Sequence, residues 1–255
     1  MTFQEADVAQ AWPRPGPQDD KYARGVVGID TGSARYPGAA VLSVLGALYA
    51  GAGFIRFCGA DTALPALLQR APSITFGPGR VDVWLVGSGW DEADDDRERL
   101  ERALNDGRGA VIDAGGLPLM PLPLPPGCLL TPHVGELARM MAVPRAEVAG
   151  DPAGFAVAAA KRWNACVLVK GHHQYVADPA GEVKMAVVGP AWTARAGSGD
   201  VLAGIAACLM AQGCDAALAG CLAASVQALA ANRRPGPYPP DELVRFLPAI
   251  IASFG

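Results

Sequence analysis

Val26-Val27-Gly28-Ile29 runs into Asp30-Thr31-Gly32-Ser33, Pro37 opens an apolar stretch lasting to about Ala50, and Phe54-Ile55-Arg56-Phe57 follows. The first and last pieces are short and rich in β-branched or aromatic residues, so they predict strands. The middle piece is rich in Ala and Leu and starts with proline, whose fixed φ suits a first helical turn, so it predicts a helix. Strand, small-residue loop, helix, strand is a βαβ unit, and such units build parallel sheets. The unit places residues 31–38 at the C-terminal edge of that sheet, where open α/β folds bind ligands.

The alternation continues. Val83-Trp84-Leu85-Val86 predicts a strand entering Gly87-Ser88-Gly89-Trp90, with a helix from about residue 92 to Asn105. Ala110-Val111-Ile112 ends in Asp113, and Cys128-Leu129-Leu130 ends in Thr131-Pro132-His133 before a helix across Gly135 to Met141. Pro144 and Pro152 punctuate two more helical pieces, and Val167-Leu168-Val169 ends in Lys170-Gly171. Tyr175-Val176-Ala177, a turn at 178–181 and residues 182–188 predict a hairpin; helices from Gly199, about Asp215 and Pro240 complete the chain. The strand ends carry Gly, Asp, His or Lys and are expected to share one rim. Residues 1–20 hold Pro13, Pro15 and Pro17 without apolar periodicity and are expected to form an extended lead-in or linker.

At 255 residues, 51% hydrophobic and 18% charged, the chain can bury a full core as one α/β domain. A net charge of -4 argues against nucleic acid as the main partner, since phosphates call for a basic face. Asp94-Asp95-Asp96, followed by Arg97, Arg99 and Arg102, reads as the acidic first turn of an exposed helix. The 6 cysteines (Cys58, Cys128, Cys166, Cys208, Cys214 and Cys221) form no C-x-x-C pair and sit in apolar runs. They read as reduced core residues of a cytoplasmic protein, with no metal site expected of them. Two long apolar stretches, 38–57 and 201–231, are interrupted by Arg56 and by Gln212-Gly213-Cys214-Asp215, so buried helices are expected and no membrane partner. The N-terminus lacks a basic-then-apolar signal pattern.

Ala196-Gly197-Ser198-Gly199-Asp200 leads straight into the apolar run Val201-Leu202-Ala203-Gly204-Ile205. This is a loop turning into a helix, whose first backbone N–H groups lack intrahelical partners and can hold a phosphate. The residues alone leave two readings of Asp200 open. It caps the helix, or it is a base aimed at a hydroxyl about to meet a phosphoryl group.

Several of these pieces in this order resemble one family. They are Pro37-Gly38-Ala39-Ala40 with Gly51-Ala52-Gly53, Leu130-Thr131-Pro132-His133-Val134-Gly135-Glu136-Leu137, Val169-Lys170-Gly171 with Ala177-Asp178-Pro179, and Gly197-Ser198-Gly199-Asp200-Val201-Leu202-Ala203-Gly204. The chain looks like the ADP- or ATP-dependent NAD(P)H-hydrate dehydratases of the ribokinase-like superfamily, over residues 21–255. The resemblance implies a three-layer αβα fold with a central, mostly parallel sheet. It also implies a repair reaction: the hydroxyl of hydrated NADH or NADPH (the S form) is phosphorylated from ADP or ATP, phosphate leaves, and the reduced cofactor is restored. By matching positions, Asp200 is the implied base, and Ala39, Gly89, His133 and Asp200 are implied contacts to the hydrated cofactor. Lys170, Gly171, His172, His173, Gln174, Gly197, Ser198 and Gly199 are implied nucleotide or phosphate contacts. Magnesium is expected with the nucleotide. A homo-oligomer, a tetramer by analogy, and an epimerase partner are expected too, there being no room in this chain for an epimerase domain.

Simpler readings stay open: His133 capping its helix, Lys170 as a solvated strand end, Glu136 as a helix-start carboxylate. The chain also departs from the family. Gly87-Ser88-Gly89 replaces Gly-Pro-Gly, and Trp90 replaces a smaller residue. Gly115 replaces a second acidic residue and leaves Asp113 alone. His172-His173-Gln174 replaces a small-residue loop ending in Thr, and Trp192 and Arg195 stand where smaller residues are usual. Arg195 is a further candidate to hold phosphate. Two other functions are therefore carried: a ribokinase-like kinase of a vitamin-precursor alcohol, and a non-catalytic nucleotide-binding module.

Overall fold

A computed structural model describes residues 1–255 except 92 and 94. Among the described residues nine strands form one sheet: β1 Val26–Asp30, β2 Phe54–Phe57, β3 Thr75–Phe76, β4 Val83–Val86, β5 Ala110–Ile112, β6 Cys128–Leu130, β7 Cys166–Val169, β8 Tyr175–Ala177 and β9 Val183–Met185. Their spatial order is β3-β2-β1-β4-β5-β6-β7-β8-β9. Pairing is parallel from β3 through β7 and antiparallel at the β7–β8 and β8–β9 pairs. The predicted hairpin is thus the antiparallel edge of an otherwise parallel sheet.

The helices are α1 Glu5–Ala11, α2 Pro37–Tyr49, α3 Leu64–Arg70, α4 Asp96–Asn105, α5 Val134–Met141, α6 Arg145–Gly150, α7 Pro152–Trp163, α8 Ser198–Ala211, α9 Ala216–Arg233, α10 Pro240–Leu243 and α11 Leu247–Ala252. Apolar residues of α1, α2, α3, α8, α9 and α11 form the core on one face of the sheet. Those of α4, α5, α6 and α7 form the core on the other. Helices on both faces of a parallel sheet explain why β1, β4, β5 and β6 are buried at every residue and show no apolar–polar alternation. The fold is the expected three-layer αβα arrangement.

The two long apolar stretches are buried helices packed on each other. A Cβ on Gly204 of α8 would sit 2.1 Å from the Ser43 carbonyl oxygen of α2, and one on Gly46 would sit 2.2 Å from that of Val201. Small residues therefore let α2 and α8 approach backbone to backbone, which fixes the start of α8 beside the sheet. No helix among the described residues is long and apolar enough to cross a membrane.

Three expectations need correction. The first 20 residues are not simply an extended lead-in: Val8 and Trp12 stand four apart on and just past α1, and with Phe3 they are buried in the core. Phe3 also donates its backbone N–H to Met185 of β9 (2.8 Å), and the proline-rich stretch beyond Trp12 lacks helix and strand. The helix expected from about residue 92 is observed from Asp96; its expected start, and residue 94 of the acidic run, lie outside the described residues. Nor is that run the first turn of a wholly exposed helix. Asp96 is 2% exposed, accepts from the Ala93 N–H (3.0 Å) and pairs with Arg99 (2.7 Å), because this face of α4 lies against the sheet. Helix α3 and the two-residue strand β3 had no sequence expectation at all.

Candidate active site

The parallel register brings the C-terminal ends of β4, β5, β6 and β7 side by side, and each contributes a polar group to one cluster. Asp113, just past β5, is 2% exposed. Its Oδ1 accepts from Lys170 Nζ (2.6 Å) and Thr131 Oγ1 (2.8 Å), and its Oδ2 from Ser88 Oγ (2.9 Å). Ser88 follows β4, Thr131 follows β6, and Lys170 follows β7. A parallel bridge between His133 and Lys170 extends the sheet by one step, with Lys170 N–H donating to Pro132 O (2.8 Å). Burial alone would raise the Asp113 carboxyl, but the Lys170 charge and the three donors hold it below the ordinary range. Burial would likewise lower the Lys170 ammonium, and the Asp113 and Glu136 charges outweigh it, so that it is raised and stays charged.

Helix α8 meets this cluster end-on. Gly197, its N-cap, has φ +88°, a left-handed conformation natural to glycine. No acceptor among the described residues takes the backbone N–H of Gly199 or Asp200, so both remain available to an anion. Lys170 Nζ is 3.2 Å from where a Cβ on Gly199 would lie, so the ammonium and these amides converge on one spot. From α9, Gln227 is 8% exposed and donates Nε2 to Ser198 O (2.9 Å), bracing that turn.

Asp200 sits in the same first turn. Burial pushes its carboxyl up to about 7; the Asp113 and Glu136 charges add to this, and the Lys170 charge opposes it. An ordinary helix-capping aspartate is a strong acceptor with a low pKa, whereas a carboxyl near 7 suits a general base.

Two clefts open on either side. One, of about 540 Å³, is lined by His133, Lys170, Gly171, His172, Gln174 and the Ser198–Gly199 turn, with Arg195 at its edge. The other, of about 1090 Å³, is lined by Arg35, Tyr36, Trp90, Glu136, Arg139 and Trp163 among others. Glu136 lies between them: its Oε2 is 3.8 Å from Lys170 Nζ and accepts from His133 N–H (2.7 Å). The structure therefore gathers Lys170, Gly171, His172, Gln174, Ser198, Gly199 and His133 around the smaller cleft. His173 is not in its lining; it stacks edge-to-face on His172 with centroids 4.7 Å apart. Ala39 and Gly89 meet beside the larger cleft, where a Cβ on Gly89 would be 2.6 Å from that of Ala39. His133 does cap its helix, since Nδ1 accepts from the N–H groups of Gly135 (2.9 Å) and Glu136 (3.1 Å). Its other nitrogen faces Glu136 at 3.5 Å. Arg195 is turned to the Pro237 carbonyl.

Sequence reasoning missed the role of Asp113 as the hub of this cluster, and it missed Ser88, Thr131 and Gln227. For Ser88, Asp113 and Thr131 the available signal was the polar residue at each strand end; Gln227, within α9, had none. Among the described residues no group of three or more His, Cys, Asp or Glu side chains is placed to hold a metal ion. Burial raises the Cys128, Cys208 and Cys221 thiols to about 12 and those of Cys166 and Cys214 to about 11, so they stay protonated.

Known proteins resemble this chain in sequence and in fold. The family described as NAD(P)H-hydrate dehydratase matches residues 27–245. The bifunctional NAD(P)H-hydrate repair enzyme Nnr of Mycobacterium tuberculosis (strain ATCC 25618 / H37Rv) is 39% identical over 224 residues, covering 84% of this chain and 46% of that protein. The chain thus spans about half the length of the first of its curated relatives. The ADP-dependent (S)-NAD(P)H-hydrate dehydratase of Xanthomonas campestris pv. campestris is 34% identical over 250 residues, covering 89% of this chain and 86% of that protein. Among solved structures, an ADP/ATP-dependent NAD(P)H-hydrate dehydratase from Bacillus subtilis, co-crystallised with ATP and Mg2+, superposes with a TM-score of 0.92. At 23% identity, and with 99% of this chain and 98% of that one covered, it shows that the two share a fold.

Proposed function

The chain belongs to the NAD(P)H-hydrate dehydratase family, and from that premise we propose that it restores NADH or NADPH from the S form of its hydrate, with ADP or ATP as phosphoryl donor. The observation that carries the reading is the meeting of three things at one point: the unpartnered amides of α8, the Lys170 ammonium, and a carboxyl at about 7 on Asp200. Asp200 takes the proton of the substrate hydroxyl as its oxygen attacks the terminal phosphorus of the nucleotide. The amides and Lys170 hold the charge that develops on the transferred group. The phosphorylated oxygen then leaves as phosphate, a proton leaves the neighbouring ring carbon, and the ring double bond is restored.

We assign the smaller cleft to the nucleotide, with Lys170, Gly171, His172, Gln174, Ser198 and Gly199 as its contacts, Gly197 setting the turn and His173 stacked on His172 outside the lining. The hydrated cofactor takes Ala39, Gly89, His133 and Asp200. Lys170 Nζ stands 2.6 Å from Asp113 and 3.8 Å from Glu136, the space a directly bound cation would need. The site therefore fits magnesium carried on the nucleotide's phosphates and on water. There the ion would neutralise phosphate oxygens. ADP is the first donor to test, because relatives of similar length carry ADP dependence in their names. The proposed catalytic domain takes in α1 together with residues 21–255, in a cytoplasmic homo-oligomer that we take to be a tetramer. An epimerase acting on the other hydrate epimer is its proposed partner, in keeping with relatives named as bifunctional.

The test is recovery of reduced-nicotinamide absorbance from hydrated NADH with magnesium and either nucleotide. Recovery that needs nucleotide and falls by about 10³-fold or more in Asp200→Asn is the expected result. No recovery with either nucleotide overturns the proposal.

A further inference from the structure

Lys170 lies within reach of three carboxylates, and the structure shows which one it serves. Its Nζ is 2.6 Å from Asp113 and 3.8 Å from Glu136, and no ion pair joins it to Asp200. We propose that Asp113 is a positioning residue of this site: it draws the Lys170 ammonium away from Asp200 and aims it at the mouth of α8, so that one side chain serves the phosphate and the other stays free as the base. The inference rests on the reading of Asp200 as that base.

The geometry supports an anchor whose place and charge are both fixed. Asp113 is 2% exposed and receives hydrogen bonds from Ser88 Oγ, Thr131 Oγ1 and Lys170 Nζ, from the ends of three different strands. Two hydroxyl donors keep the carboxylate ionised and oriented even when the ammonium leans toward a phosphate. A lysine, unlike an arginine, is a point charge on a flexible stem and can be shared in this way. The groups facing Asp200 are Asp113 from the end of β5, Lys170 from the end of β7 and Glu136 from α5. Without the Asp113 charge, the ammonium has two carboxylates left, Glu136 and Asp200. Its move to Asp200 would hold that carboxyl ionised but weaken it as a base. Loss of the Asp113 charge itself acts on Asp200 in the same direction.

The experiment is the pH dependence of kcat for hydrated NADH at saturating nucleotide, in the wild type, Asp113→Asn and Asp113→Glu. In the wild type the acid limb is expected near 7, the value for an Asp200 not paired with Lys170. A wild-type limb below about 5, close to an ordinary carboxyl, overturns the proposal and needs no variant to fold. In Asp113→Asn the limb moves down by a unit or more and the plateau rate falls roughly tenfold, as expected of a weaker base. Asp113→Glu keeps the charge and holds the limb within half a unit of the wild type, at a reduced rate. Lys170→Met combined with Asp113→Asn separates the ammonium's move from the lost charge. A downward shift of Asp200 of the same size with and without Lys170 comes from the charge alone and overturns the proposal, as does a limb left in place in both Asp113 variants. Should the wild type show no dehydration at any pH, the function reading has failed on its own. The Asp113 inference is then read by carboxyl carbon-13 titration of Asp200 in the same proteins, with the same shifts expected.

Discussion

Two strands of this sheet end at a buried carboxylate, Asp30 on β1 and Asp113 after β5, and the molecule uses them in opposite ways. Asp30 is 1% exposed and is met by arginines of α4. Arg99 engages both of its oxygens, and Arg102 Nη2 donates to Oδ2 at 3.1 Å. Arg99 also bonds Asp96 (2.7 Å) and lies over the Trp90 ring, 4.4 Å from its centroid, while the Trp90 N–H donates to Asp30 O (3.1 Å). The Nε, Nη1 and Nη2 of Arg99 each have a carboxylate partner, and this planar fork locks α4 and the β4 loop to the sheet. Asp113 instead holds a single ammonium and two hydroxyls, and that ammonium also stands at the unpartnered end of α8. The arginine cluster is a fastening. The lysine cluster has capacity left for a ligand.

Removing the cation from each cluster separates the two roles most sharply. Lys170→Met is expected to lower kcat/KM for the dehydration by about 10³-fold, since it removes a donor aimed at transferred charge. Steady-state rates with hydrated NADH measure it. A loss of less than tenfold means that Lys170 is only a structural partner of Asp113, and the contrast with Arg99 disappears.

Arg99→Met is the converse. It leaves Asp30 with Arg102 alone and Asp96 with no cation, although Asp96, raised by burial despite Arg99, can take up a proton. Breaking a buried pair from one side costs about 3 kcal/mol. Chemical denaturation is expected to show that loss, with kcat changed by less than about threefold because Arg99 touches no proposed reacting group. A large fall in kcat at unchanged stability reverses the assignment of the two clusters.

The same contrast shows what a chain of residue types can and cannot reveal. Strand ends at Asp30, Gly87, Asp113, Thr131 and Lys170 were legible because a parallel sheet buried on both faces writes its strands as short apolar runs, each stopped by a polar or small residue. That these ends share a rim followed from the βαβ rule. The partners of Asp113 did not, because Ser88, Thr131 and Lys170 lie 25, 18 and 57 residues away and only the strand order brings them together. The Arg99–Asp30 pair, 69 residues apart, was hidden for the same reason, and the acidic run before it suggested a solvated helix. Helix α1 was missed because Pro13, Pro15 and Pro17 dominate the composition of its neighbourhood. The Val8–Trp12 spacing that docks it is only one helical turn long.

The smallest effect concerns stability alone and follows from the raised Asp200 carboxyl. Between the ordinary carboxylate value near 4 and the folded value of about 7, the native protein binds a proton that the unfolded chain has released. Stability therefore falls as pH rises through that window, and above 7 the ionised carboxylate costs the fold something that an amide does not. Asp200→Asn is expected to melt a few degrees above the wild type at pH 8 and at the wild-type temperature near pH 4. Allowing for screening of a side chain that is only partly buried, the gain is about 1 kcal/mol. Scanning calorimetry at the two pH values measures it. A variant no more stable at pH 8 than at pH 4, each relative to the wild type, places the Asp200 carboxyl in the ordinary range, as an ion pair with Lys170 would. An inactive protein that is more stable than the active one is the outcome expected when a charge is held for chemistry rather than for the fold.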